Sequence, residues 1–464
     1  MNKSNFFSTL YKYKKRTAII DDNLNKKNFG ELLNDSHLFR RTDFKKKVVL
    51  IFCGNNYETI AGYVGLIRNN TIPFLIDENI NKEKINEILK KYKINYIFLN
   101  KNINYGFTNY KKEFVFLNYH MIKINNYNKY KIFKNLILLL STSGSTASPK
   151  CVRLSEENLI SNTKSIIKSL EIKKTHRAIT TLNPSYSYGL SIINTHLLSG
   201  ACIVINKFTF FDKQFWSLLN KSASNTFGGV PVHYDILKKI KFENYNLSKI
   251  TYLTHAGGII DQDTKDYILN VCRSKKIKFV SMYGATEASP RMSYLPWQQS
   301  NKRANCIGRA VFGGKFWLVN NSKKKINKKN TTGELVYSGN NVCLGYSNTY
   351  KDLKKKDINK KILKTGDLAK LSDDNFYYIV GRKSRFIKIN GYRVDLDFLE
   401  KKLKQKKVIC SCVGKDNLLK IFYNNTMFRN IILNTLKEFD NIKKQNINII
   451  FTKDKSFFLK KGKI

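Results

Sequence analysis

Acidic residues are scarce in this chain: 34 Asp+Glu stand against 83 Lys+Arg, a formal charge of +49 over 464 residues. Other absences narrow the field further. No CxxC pair occurs among the eight cysteines, at 53, 151, 202, 272, 306, 343, 410 and 412, which excludes zinc ribbons and dithiol redox motifs and makes reduced thiols the expectation. The six histidines show no H-x-x-x-H spacing, so no histidine metal site is expected. No apolar run approaches the roughly 18 residues of a spanning helix, and Met1–Phe7 lacks the charged-then-apolar pattern of a secretory leader. A cytoplasmic protein without a transmembrane segment is expected. No internal repeat appears, and no Walker loop of the form G-x-x-x-x-G-K-[ST].

The positive charge alone could suit nucleic acid or an anionic membrane. Its distribution argues otherwise. The lysines are spread along the chain among abundant asparagine and isoleucine, as an AT-rich genome would encode at neutral surface positions. No arginine-rich arm, helix-turn-helix or RNA-binding aromatic signature accompanies them, so no dedicated nucleic-acid binding is expected. With 42% hydrophobic and 13% aromatic residues the chain is globular and large enough for two or three domains.

The first half alternates short β-branched runs with polar helical stretches. Strands are expected over 48–52, 72–76 and 94–99, with helices over 57–68 and 82–92 between them. This βαβαβ rhythm predicts an α/β fold with a parallel sheet covered by helices. The rhythm resumes with a strand over 136–140, a helix over 156–170 and strands over 178–182 and 202–205. From about 305 to 380 the texture changes to glycine-punctuated strands, including 333–337 and 376–380. A basic segment of mixed strands and helices follows. The best boundary lies near Ser384, giving domains over 1–383 and 384–464.

Directly after the apolar run 136–140 comes Ser141-Thr142-Ser143-Gly144-Ser145-Thr146-Ala147-Ser148-Pro149-Lys150. Such a loop is either a polar surface turn or a cradle in which backbone N–H groups, hydroxyls and a lysine wrap polyphosphate. Four further islands follow in order: Tyr283-Gly284-Ala285-Thr286-Glu287, Thr365-Gly366-Asp367, the run from Gly381-Arg382 to Arg393, and Gly462-Lys463-Ile464. Together the five resemble the adenylate-forming superfamily of acyl- and aryl-CoA ligases, peptide-synthetase adenylation domains and firefly luciferase. The resemblance runs from about Arg16 to Ile464.

That resemblance implies a fold, an activity and a set of site residues. The fold would be a large N-terminal domain of parallel and mixed sheets with flanking helices and a β-barrel-like part, then a small mobile α+β C-terminal domain hinged at Ser384. The activity would be ATP-dependent activation of a carboxylic acid as acyl-adenylate with release of pyrophosphate, then transfer to a thiol of CoA or of a phosphopantetheine carrier. By the same resemblance, Thr142, Ser143, Gly144, Ser145, Thr146 and Lys150 would hold the β- and γ-phosphates. Tyr283 and Gly284 would stack on and border the adenine, which Gly257 and Gly258 let approach; Thr286 would bond the α-phosphate and Glu287 would ligate Mg²⁺. Asp367 and Arg382 would take the ribose. Lys463 would bridge the substrate carboxylate and the α-phosphate, and Lys388 with Gly391 would serve the second half-reaction. Three positions depart from the family: Ser384, where an Asp or Lys is more common at the hinge, and Ala147 and Cys151, where glycine is usual. An alanine at 147, if that position needs φ > 0, would cost about 1 kcal/mol.

The stretch 183–191 corresponds to the family's acyl pocket, with Tyr186 in place of an aromatic gate, Tyr188 on the wall and Gly189 where amino-acid-activating relatives carry aspartate. Gly229 and the segment 255–258 would complete the walls. Arg291, four residues after Glu287, would meet a second anionic group on the substrate or serve as a structural salt-bridge partner. Three activities remain open: an acyl-CoA synthetase acting on a small-molecule carboxylic acid, a stand-alone adenylation enzyme for an amino or hydroxy acid, and a degenerate nucleotide-binding module. No carrier domain follows Ile464, so an acyl-carrier protein would act in trans.

Overall fold

The run Val48–Cys53 is buried at every position, as a strand covered on both faces must be. In the computed structural model, which describes residues 6–141, 150–303, 306–389, 392–415, 417–437 and 447–453, it lies inside an eight-stranded sheet. Val48–Cys53 pairs in parallel with Ile72–Asp77 on one side and Tyr96–Asn100 on the other, and Ile72–Asp77 pairs in parallel with Leu136–Ser141. Antiparallel strands complete both edges: Cys151–Ser155 and Tyr346–Ser347 on one, Tyr119–Lys123 and Lys111–Phe116 on the other. The expected βαβαβ core is this sheet.

A second sheet carries Thr17–Ile20, Cys202–Val204, Arg177–Ile179, Thr226–Gly229, Tyr252–His255 and Lys278–Gly284 in parallel, then turns antiparallel at Arg291–Tyr294 and Cys306–Ala310. Between the sheets lie helices that bury almost every residue. Tyr57–Arg68 is buried from Tyr57 to Ile67 and Ser187–Leu198 from Ser187 to Leu197. One core joins Val49 and Ile51 of the first sheet to Ile60, Ile192 and Leu197 of the helices and to Ile203 and Val280 of the second. A helix packed on two sides has no face to give to water. By contrast Lys82–Tyr92 buries only Ile85, Ile88, Leu89 and Tyr92, one stripe facing a single sheet.

Contacts divide the chain into two compact units, Met1–Phe316 with Tyr337–Leu363, and Trp317–Val336 with Lys364–Ile464. The sheets above belong to the first. In the second, Lys325–Ile326, Lys315–Val319, Thr332–Ser338, Ile362–Leu371 and Tyr377–Arg382 line up in that order. They do not form a closed barrel: the order is linear, and among the described residues its end strand Lys325–Ile326 pairs with Lys315–Val319 alone. The remainder of this unit is a small α+β core. Hairpin strands Phe386–Ile389 and Tyr392–Asp395 precede the helix Leu396–Gln405; strands Cys410–Lys415, Leu418–Tyr423 and Ile447–Phe451 form a sheet, with the helix Phe428–Lys437 between the last two in sequence. Ile387, Leu399, Leu403, Ile421 and Ile432 meet at its centre. Arg385, buried here, bonds Asp397 at 2.7 Å and Glu400 at 3.0 Å, so this cation has its counter-charges beside it. No helix among the described residues is long and apolar enough to cross a membrane.

Candidate active site

The loop after Lys278–Gly284 is held from several sides. Ala285 N–H donates to Pro290 O at 2.8 Å, folding 285–290 into a tight turn. Gly284 is required at its base, because a Cβ there would sit 2.1 Å from Pro290 O. Asn162, in the helix Glu156–Leu170, donates through Nδ2 to Arg291 O at 2.7 Å and Ala288 O at 3.2 Å. Asn341 donates to Ala288 O at 2.8 Å, and the peptide N–H of Cys343 to Glu287 O at 2.8 Å. These bonds fix the backbone that presents Tyr283, Thr286 and Glu287. Neither asparagine stands out in the sequence, although Asn158 and Asn162 recur four apart on the buried face of an amphipathic helix, the kind of polar interruption that marks an interior contact.

The side chains of this turn reach two other elements. Thr286 Oγ1 lies 3.1 Å from Ser187 Oγ, at the start of the central helix Ser187–Leu198. Tyr346 Oη donates to Glu287 Oε1 at 2.5 Å. Lys150, the last residue of the hydroxyl-rich loop, places Nζ 3.6 Å from the centre of the Tyr346 ring. One phenol therefore touches both the ammonium and the carboxylate. Burial, reinforced by the Glu287 carboxylate, pushes the Tyr346 hydroxyl above its ordinary range, so it remains a donor. No motif points to Tyr346, since its partner Glu287 lies 59 residues away.

Tyr346 is brought there by the edge pairing Tyr346↔Val152 and by a buried guanidinium. Arg153, with 0% exposure, donates to the carbonyls of Leu344 (2.7 Å), Tyr346 (3.3 Å), Lys355 (2.5 Å) and Lys356 (3.2 Å). Cys151 occupies ordinary strand backbone, where no glycine is needed, and burial pushes its thiol up to about 12. Residues 142–149, which include Thr142, Ser143, Gly144, Ser145, Thr146 and Ala147, lie outside the described residues, as do Gly391 and Lys463.

The tyrosines of the 183–191 stretch pack against glycines. Tyr188 Oη donates to Thr254 O at 2.8 Å, and a Cβ on Gly228 would approach it to 2.7 Å. Tyr186 Oη covers Gly257, which has φ +89° and where a Cβ would lie 2.6 Å away. Tyr186 and Tyr188 meet edge to face at 6.3 Å. Gly229 packs under the Tyr234 ring, and Gly258 is exposed beyond it. At Gly189 a Cβ would lie 2.6 Å from Asn183 O, so the packing leaves no room for an aspartate there. Arg291 is buried beneath Tyr188, its guanidinium carbon 4.6 Å from the ring centre. Among the described residues no carboxylate pairs with it, so the expected alternative of a structural salt bridge finds no partner.

In the second unit Asp367 and Arg382 face each other in antiparallel register and bond at 3.0 Å, Nε to Oδ1. Asp367 is nearly buried while Arg382 is half exposed. Thr365 braces the turn, its Oγ1 accepting from Asp367 N–H at 3.1 Å and donating to Leu335 O at 2.8 Å. Lys388 lies in the strand Phe386–Ile389, in register with Arg393, and Ser384 in the short turn Lys383–Arg385 before it.

Residues 6–347 match the family described as AMP-binding enzyme, and the chain belongs to that family. Its fold is that of O-succinylbenzoate coenzyme A synthetase from Bacillus subtilis, solved in complex with AMP (TM-score 0.76, 17% identity, 97% of this chain and 94% of that one). ATP-bound MatB from Rhodopseudomonas palustris is similar too (TM-score 0.72, 15% identity, 98% and 95%). Among curated relatives, the human mitochondrial medium-chain acyl-CoA ligase is 28% identical over 260 residues, 54% of this chain and 42% of its own length. The chain thus spans less than half of that relative. A D-alanine–D-alanyl carrier protein ligase from Streptococcus agalactiae is 24% identical over 408 residues, 83% of this chain and 79% of its own length.

Proposed function

We propose that this chain uses ATP to activate a carboxylic acid as its acyl-adenylate and passes the acyl group to a thiol. The observation that carries the reading is the meeting of Lys150, Tyr346 and Glu287 beside the Thr286–Ser187 hydroxyl pair. An ammonium and a carboxylate held apart on one ring, next to hydroxyl donors, suit a polyphosphate and its divalent cation. The donor set fits magnesium: Glu287 offers a carboxylate beside the Thr286 hydroxyl, and Mg²⁺ takes one carboxylate with phosphate oxygens and water. Magnesium, when bound, neutralises phosphate charge. One relative of the same fold was solved with ATP and magnesium ion.

In the first step a carboxylate oxygen attacks the α-phosphorus, the bond to the bridging β-oxygen breaks, and pyrophosphate leaves. Lys150 with the loop residues 142–146 holds the β- and γ-phosphates, Thr286 the α-phosphate, and Glu287 the cation. Tyr283 and Gly284 border the adenine together with Gly257 and Gly258, Asp367 and Arg382 take the ribose, and Lys463 stabilises the charge that shifts between carboxylate and phosphate. In the second step a thiol attacks the acyl carbon, AMP departs with the C–O bond electrons, and the thiol proton is released; Lys388 and Gly391 serve this step. Tyr186, Tyr188, Gly189 and Gly229 line the acyl pocket.

The acceptor is the thiol of CoA or of a carrier protein in trans; the long match to a carrier-protein ligase supports the second, and the +49 charge would favour an acidic carrier. Eight buried cysteine thiols fit a reducing compartment such as the cytoplasm. The test is acid-dependent pyrophosphate release over fatty, aryl, hydroxy, amino and dicarboxylic acids, with and without CoA. Release that depends on one acid class supports the reading. ATP binding without release for any acid would leave a nucleotide-binding module.

A further inference from the structure

Three arginines of the described chain are buried, and two of them have strong oxygen acceptors. Arg153 has four carbonyl acceptors, and Arg385 has the counter-charges of Asp397 and Glu400. Arg291 differs. It is 2% exposed, its Nη1 meets only the thioether of Met282 at 2.7 Å, and its Nε is buried with no hydrogen-bond partner. The ionisable groups around it are Tyr186, Tyr188, Tyr252 and His196, all neutral near pH 7. A guanidinium carries five donors, and leaving a buried charge with one weak sulfur acceptor costs free energy that a fold normally avoids. The side chain on which it stacks is Tyr188, which adjoins Tyr186 over Gly257.

We infer that Arg291 is the receptor for a second anionic group on the acid, so that the substrate class is a carboxylic acid bearing a distal carboxylate, a dicarboxylic acid in the simplest case. This rests on the acid-activating function proposed above. Met282 is the group the distal carboxylate replaces: a thioether is flexible and a poor acceptor, whereas a carboxylate can take two parallel N–H bonds from the guanidinium fork. The activated carboxylate then lies toward Thr286 and the distal one toward Arg291.

The test measures pyrophosphate release by the full chain with glutarate, adipate and suberate, each beside its monomethyl ester and the unsubstituted acid of equal length. Expected is a kcat/KM at least about 30-fold higher for one of the dicarboxylates than for its half-ester, the scale on which a buried charge partner is lost. Arg291→Met should abolish that preference and bring the half-ester and the dicarboxylate within about threefold. It should also hold or raise the thermal midpoint, because it removes an unpaired buried charge; a purely structural arginine would lower it. A second readout needs no turnover: adipate should raise the midpoint of the wild-type protein and not of Arg291→Met. Equal or better use of the half-esters and unsubstituted acids by the wild type would overturn the inference and leave acid activation intact. No release from any acid of either kind would overturn the activating function, and this inference with it.

Discussion

Tyr346→Phe separates two contacts made by one side chain. It removes the hydroxyl that donates to Glu287 Oε1 at 2.5 Å and keeps the ring that lies 3.6 Å from Lys150 Nζ. A hydrogen bond to a carboxylate is worth about 1.5–3 kcal/mol. Tyr346 is 38% exposed, so water recovers part of this, and a net loss of about 1.4 kcal/mol is reasonable, or tenfold in an equilibrium constant. The loss should fall on the cation that the proposed function assigns to Glu287. In pyrophosphate-release assays the Mg²⁺ concentration for half-maximal rate should rise about tenfold, with the KM for ATP little changed. Tyr346→Leu removes the ring as well, and a cation–π contact of about 0.5–2 kcal/mol should add a roughly 2- to 30-fold rise in the KM for ATP. If Tyr346→Phe shifted neither quantity by more than twofold, the phenol would not be orienting Glu287. If the two variants behaved alike, the ring would contribute nothing through Lys150.

Arg153→Met should cost about 1–3 kcal/mol in urea denaturation, because it removes the side chain that ties four carbonyls together; an unchanged urea midpoint would mean that water or relaxation satisfies them. Gly284→Ala should destabilise by about 2 kcal/mol or more, since its Cβ meets backbone and not a flexible side chain, and an unchanged urea midpoint would refute the packing argument. Stability should also fall in mild acid. Burial lowers His196 to about 4 and His255 to about 3 from 6.5, so the unfolded chain binds protons first as pH drops below 6.5, and the stability present above that value is lost on the way to the folded values. Each imidazole can contribute about 1.4 kcal/mol per pH unit in that window. The urea midpoint should be lower at pH 5 than at pH 7, and equal midpoints would show both imidazoles taking up protons while folded.

Local chemistry made the helices readable. The expected ranges 57–68 and 156–170 coincide with Tyr57–Arg68 and Glu156–Leu170, where Asn56 caps the first and Ser155 with Asn158 closes a capping box on the second. The strand expected from 94 begins instead at Tyr96. Ile94 N–H is taken by Leu89 O at 3.1 Å, a helix-terminating bond that competes with the ladder. The strand expected over 178–182 stops at Ile179, and Asn206 N–H bonds the Thr180 hydroxyl there at 3.0 Å. The glycine-punctuated strands were legible as strands, but closure depends on which edges pair, and no local pattern encodes that. The motif residues Tyr283, Thr286 and Glu287 were visible as an island. Their supports, Asn162, Asn341 and Tyr346, come from distant parts of the chain, and distance in sequence hides them. Arg291 shows the same limit from the other side: spacing placed it near the site, and only packing reveals that no carboxylate among the described residues pairs with it.

The long reach of Arg153 has a consequence for the order in which the protein is made. Its guanidinium is synthesised 191 residues before the Leu344 carbonyl that receives it. At about 5–20 residues per second, roughly 10–40 s of translation separate the two. Through that interval the strand Cys151–Ser155 carries a full positive charge with its acceptors not yet synthesised, and Lys150 waits about as long for the ring of Tyr346. The contact of Lys150 with Tyr346 is therefore assembled late, and a nascent chain paused before residue 344 would hold much of the first sheet without its staple.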